Sequence, residues 1–163
     1  MLHQNLVLRH PKLQELIELW HKFRDGNNLP MAMDIDPADL RPWLGNLLVM
    51  DVAEGEDGGF VYSYYGRAFT DAFGEDKVGQ SITALPDLQQ EILHAEYERV
   101  RQERIPVCRV YTAAFNGRVV SWERLVLPLA VDESQKVKKF LVAAYELGDI
   151  SPVATAASAG PRP

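Results

Sequence analysis

The stretch "VCRVYTAAFNGRVVSWERLVLPL", residues 107–129, constrains the fold more than any other part of the chain. Two runs rich in β-branched and aromatic residues flank Asn116-Gly117, a dipeptide that accepts the positive φ angles of a two-residue hairpin turn. A turn there places Phe115 opposite Arg118 and sets every later pair, including Tyr111 opposite Trp122 and Arg109 opposite Arg124. Because strand side chains alternate, one face carries Arg109, Tyr111, Ala113, Phe115, Arg118, Val120, Trp122 and Arg124. The other carries Cys108, Val110, Thr112, Ala114, Val119, Ser121, Glu123 and Leu125. The smaller side chains of this second face leave room for a ligand, so it is expected to face a cavity, with Thr112, Ser121 and Glu123 as polar anchors beside Cys108. An inward Glu123 needs a partner, and Arg109 opposite Arg124 is mildly unfavourable.

The remaining elements fall around this hairpin. Leu13, Leu16, Ile17, Trp20 and Phe23 recur at helical spacing between Pro11 and Gly26, an amphipathic helix that needs a partner surface. In "DIDPADLRPWLG", Asp36 is placed to cap a short second helix, with Pro37 at its first position and Asp39 in its first turn. Leu47–Ala53 and Phe60–Tyr65 read as a first hairpin, and residues 137–145 as a strand after "DESQK". The segment "PDLQQEILHAEYERVRQER" carries the rows Leu88/Ile92/Ala95 and Leu93/Tyr97/Val100 of a long helix. Five strands with helices gathered between the second and third predict an α+β domain: a five-stranded antiparallel sheet with helices on one face, plus the N-terminal amphipathic helix. The expected division is an N-terminal helical extension (1–26), the sheet domain (27–148) and a disordered tail (149–163) of small residues and prolines.

Several function classes are disfavoured by composition. The formal net charge of −6 repels phosphate backbones, which argues against nucleic acid as a partner. The longest apolar runs fall well short of the ~20 residues of a membrane-spanning helix. One cysteine forms no internal disulfide, and the N-terminus lacks a basic, apolar leader, so a cytoplasmic chain is expected. Glu18/His21 and Glu91/His94 have the Glu-x-x-His spacing of di-iron bundles, but the two further core helices are missing and surface roles are favoured. The Asp34, Asp36 and Asp39 group lacks a calcium-loop pattern and is read as capping.

The stretch "YSYYGRAFTDAFGEDKVGQSI" leaves a strand, turns at Gly66, makes a short helix and breaks again at Gly74 and Gly79. The three glycines are read as supplying backbone angles that side chains forbid. This order resembles the exit from the second strand of PAS domains. With "LPMAMDIDPADLRPWLGNLLVMDV" and "WERLVLPLAVDESQKVKKFLVAAYEL", it is similar to a bacterial single-domain PAS-like family over about Trp20 to Leu147. The resemblance implies a sensor or interaction domain, often dimeric, with a small cavity between sheet and helices and no fixed catalytic residues. Phe69 and Phe73 would then border the cavity or simply fill the core, and His94 and Tyr97 on the long helix join the ligand-lining set. Some PAS domains hold haem through a histidine on their long helix, but for His94 a partly buried or surface position without a ligand is favoured, and the cysteine of flavin-binding members has no counterpart. A homodimer through Leu13, Leu16, Ile17 and Trp20, a small-molecule ligand of unidentified class and a separate signalling partner complete the expectation. The alternative is a small α+β enzyme pairing His94 with Glu123 for acid–base chemistry.

Overall fold

A computed structural model of the chain describes residues 6–53, 59–115 and 117–148. The expected hairpin forms: β3 (Val107–Phe115) and β4 (Arg118–Ala130) pair antiparallel, with Phe115 opposite Arg118, Tyr111 opposite Trp122 and Arg109 opposite Arg124. Gly117 adopts φ +73°, as such a turn requires; Asn116 and the tail from residue 149 onward lie outside the described residues. With β1 (Leu47–Val52), β2 (Phe60–Tyr65) and β5 (Val137–Glu146), the hairpin completes a five-stranded sheet in the order β2-β1-β5-β4-β3, every neighbouring pair antiparallel.

Helices cover both faces of this sheet. On one lie α2 (Arg67–Phe73) and α3 (Asp87–Glu103); on the other lies α1 (Pro11–Lys22), joined to β1 by a 3-10 segment, Pro37–Asn46. That segment starts with the expected cap. The Asp36 side chain accepts from Ala38 N, and Asp39 accepts from Asp36 N in return. Covering both faces explains why every residue of β4 from Trp122 to Ala130 is buried. Even-numbered side chains such as Trp122 and Arg124 face α2 and α3, and odd-numbered ones such as Glu123 and Leu127 face α1.

Three of the four α1 residues expected at a dimer contact are buried inside the chain itself. Leu13, Leu16 and Trp20 are 0%, 0% and 2% exposed within this single chain, and the Trp20 indole donates to Pro128 O at 2.9 Å. Ile17 is half-buried. The partner surface that an amphipathic helix needs is therefore the chain's own sheet, which takes up Leu13, Leu16 and Trp20.

Glu123 clasps the start of α1. Its Oε1 accepts from Arg9 N at 3.0 Å and His10 N at 2.7 Å, and its Oε2 accepts from Arg9 N at 2.9 Å. His10 stacks on Tyr145 at 4.4 Å, and its Nδ1 accepts from Lys12 N to cap the helix. Replacing Glu123 by Ala leaves these part-buried amides without an acceptor, so the substitution is expected to cost about 2 kcal/mol in chemical denaturation. A loss below a few tenths would show that the clasp is not energetically coupled to folding. Burial lowers the His10 pKa, with Lys12 adding to this and Glu123 opposing it. The unfolded chain therefore takes up this proton first, and stability is expected to fall as pH drops through the ordinary histidine value. His10→Asn should flatten that part of a stability-against-pH curve.

Candidate functional site

The inner face of the sheet, under α2 and α3, is an aromatic chamber. Phe60 of β2 lies 5.2 Å from Tyr97 of α3 and 5.7 Å from Phe140 of β5. Phe69 sits between Tyr65 at 5.5 Å and Trp122 at 6.1 Å. Tyr62 and Tyr111 are almost fully buried, which drives both hydroxyl pKa values far up and keeps them neutral. The α2–α3 connection closes the edge of this chamber. Gly79 N donates to Tyr62 O at 2.8 Å, and Tyr62 N donates to Gln80 O at 3.0 Å.

A charged cluster occupies the β3–β4 side of the chamber. Arg124 is 0% exposed, and its Nε donates to Glu96 Oε1 of α3 at 2.8 Å. Arg109, directly across the strands, donates from its Nε to Glu96 Oε2 at 2.7 Å. One carboxylate thus bridges two arginines that the register forces together. Burial by itself raises the Glu96 pKa, but Arg124 and Arg109 oppose it by charge and hydrogen bonding and hold the carboxyl below its ordinary value. Arg124 Nη2 donates to the Tyr97 hydroxyl, and its guanidinium lies 5.3 Å from that ring centre. Burial disfavours the Arg124 charge, yet Tyr97 and Glu96 outweigh it and push the pKa up, so the group stays protonated.

Among the described residues, three buried polar atoms of this wall find no hydrogen-bond partner: Tyr111 Oη, Trp122 Nε1 and Arg124 Nη1. Their residues adjoin one another on one sheet face, since Tyr111 faces Trp122 and Arg124 follows two positions on. Trp122 also lines a groove of about 420 Å³ with Asn46, Ala68, Asp71, Ala72, Tyr145 and Glu146. The groove runs between α2 and the ends of β4 and β5, so its floor adjoins the chamber.

The chamber contains some of the expected lining residues and not others. Phe69 and Tyr97 are inside it, and Phe73 lies half-buried at its edge, 5.9 Å from Trp122. The hairpin is turned the other way from the expectation. Cys108, Thr112, Ser121 and Glu123 are on the α1 face, where Thr112 Oγ1 and Ser121 Oγ lie 3.5 Å apart. The physical reason is that Glu123 finds two backbone amides there, whereas Arg109 and Arg124 find their counter-ion only on α3. Cys108 is half-buried, and burial, then Glu123 and Glu96, raise its pKa, so it is a protonated thiol. His94 is exposed, touching the edge of Phe60 at 5.7 Å. It does not reach the chamber as an axial ligand would, and the sheet separates it from Glu123, so the acid–base pair does not assemble. Among the described residues no group of three His, Cys, Asp or Glu side chains is arranged to hold a metal, and no helix is long and apolar enough to cross a membrane.

Sequence reasoning missed Glu96, Arg124, Tyr62, Tyr111 and Trp122 as site residues. The usable signal was the arginine pair itself: two arginines opposed on one strand face require a carboxylate from the element packed above them.

The sequence matches the family model described as PAS domain over residues 8–142, a span that includes α1 and the whole sheet up to the middle of β5. The chain belongs to the PAS domain family. The PAS domain of BvgS from Bordetella pertussis has the same fold, with TM-score 0.52 and 18% identity over 84% of this chain and 89% of that one. A fungal light-oxygen-voltage photoreceptor aligns with TM-score 0.47 and 17% identity over 82% of this chain and 91% of that one. The light-state LOV domain of aureochrome1 aligns with TM-score 0.47 and 12% identity over 69% and 89%. No curated protein matches the sequence. This PAS domain thus shares its fold with the PAS domain of BvgS.

Proposed function

We propose that this PAS domain is a cytoplasmic sensor that binds a small molecule in the aromatic chamber and passes its occupancy to a separate signalling protein. The observation that carries this reading is the set of three buried, unpartnered donors on the chamber wall, next to a groove that adjoins it. Buried polar groups without partners are costly and are retained where a ligand completes them. The short α2, held between Gly66 and Gly74, roofs the wall through Phe69 and Phe73 and is the element that occupancy would move. Binding rather than catalysis fits the residues, because the buried tyrosines stay neutral and, among the described residues, no histidine faces the chamber. A homodimer remains compatible with the sensor role only through a surface other than Leu13, Leu16 and Trp20.

The test is native mass spectrometry of the purified chain, with an absorption spectrum and thermal melts in metabolite extracts. A small mass that is released on denaturation, or an extract that raises Tm, is the expected result. A bare mass together with melts that no extract shifts would sink the proposal.

A further inference from the structure

The chemistry of the chamber wall narrows the ligand class. Tyr111, Trp122 and Arg124 are 5%, 2% and 0% exposed, and each keeps one polar atom without a partner among the described residues. The indole N–H and the guanidinium N–H can only donate, and the neutral Tyr111 hydroxyl can donate as well. Arg109 and Arg124 bring two positive charges to this cluster and Glu96 one negative, which leaves a net charge of +1 against the wall. Three donors beside a cluster of net positive charge are complementary to a carboxylate, whose oxygens accept several hydrogen bonds and whose charge neutralises the excess. The approach imposes a second condition. Asp71 and Glu146 line the groove beside Trp122, with Ala68 and Ala72 of α2 supplying an apolar wall. Like charge at the rim disfavours a ligand with a second carboxylate, and the apolar wall suits a hydrocarbon body.

We infer that the chamber takes a small monocarboxylate with an apolar body, its carboxylate on Arg124, Trp122 and Tyr111 and its body along α2 in the groove. This inference rests on the sensory reading above. It names the ligand class that the reading leaves open.

The experiment titrates the full chain with hexanoate, phenylacetate, hexanamide and adipate, following Tm and the indole 15N–1H signals. The Trp122 signal is identified by its loss in Trp122→Phe. At least one of the two monocarboxylates is expected to raise Tm and move the Trp122 signal downfield, binding at least tenfold more tightly than hexanamide and adipate. Tyr111→Phe and Trp122→Phe keep a ring in place and remove one donor each, and each is expected to weaken that binding roughly tenfold. Equal binding of amide and acid, tighter binding of adipate, or no response to either monocarboxylate overturns the assignment, as does binding that both Phe variants leave unchanged. A co-purifying neutral or cationic molecule also overturns the carboxylate and leaves the sensory reading standing. A bare protein that no extract stabilises ends both.

Discussion

Replacing Glu96 by Ala is expected to cost about 3–5 kcal/mol of folding stability, the typical loss when one partner of a buried ion pair is removed. The cause is less the lost attraction than what remains: a fully buried Arg124 with no counter-ion and a half-covered Arg109 beside it. Replacing both Glu96 and Arg124 by methionine removes the stranded charge, so the double variant should regain most of the loss in urea denaturation. A double variant no more stable than Glu96→Ala would show that the charges are not what holds α3 to β4. The pH dependence follows from the lowered Glu96 pKa. The unfolded chain, with its carboxyl near the ordinary value, takes up the proton first on acidification. The pair's contribution is complete above that ordinary value and is lost as pH falls through the lower folded one. An acid limb in the wild-type stability curve that Glu96→Gln removes is the expected signature.

Gly66→Ala is the second large effect, and here the cause is steric. A Cβ at this position would lie 2.5 Å from Gly45 O and 2.6 Å from Leu47 O, both backbone atoms. Gly66 N also donates to Leu47 O at 2.8 Å, so the two chains are pinned together where α2 leaves β2. Neither neighbour can rotate away, and a loss of about 3 kcal/mol is expected, the upper end of ordinary overpacking costs. Gly74 makes a useful contrast. It has φ +87° with nothing near its missing Cβ, so Gly74→Ala should cost only about 1 kcal/mol of left-handed strain. Chemical denaturation of the two variants side by side checks this. Equal losses would mean that close approach at Gly66 is not the constraint.

That contrast also shows where the glycine reading held. Gly74 and Gly79 have the positive φ that the sequence interpretation assigned to them, but Gly66 has φ −64° and is needed for contact instead. A backbone conformation can be anticipated from neighbouring residues. An approach by residues about twenty positions earlier in the chain cannot.

The same division runs through the site. Local rules were enough for the hairpin, because a two-residue turn dictates each pair along β3 and β4. They were enough for the α1 stripe, the Asp36 cap and the order of the elements. Which face of the hairpin would look inward had no local answer. Both faces carry a charged residue that must be compensated, and the compensating groups lie far off in sequence: Arg9 and His10 amides for Glu123, Glu96 for Arg124. His94 and Glu123 looked like a possible pair only because sequence spacing does not record which side of a sheet each occupies.

What the sequence by itself determined is the alternation of elements, the strand register and membership of a fold class, all properties of neighbours along the chain or across one turn. Only the tertiary structure decided that α1 closes the outer face of its own sheet and that Arg124 is buried with an unmatched N–H. Both follow from long-range compensation of apolar surface and charge. An amphipathic helix takes whichever apolar face lies within reach, and a buried guanidinium goes where a carboxylate waits.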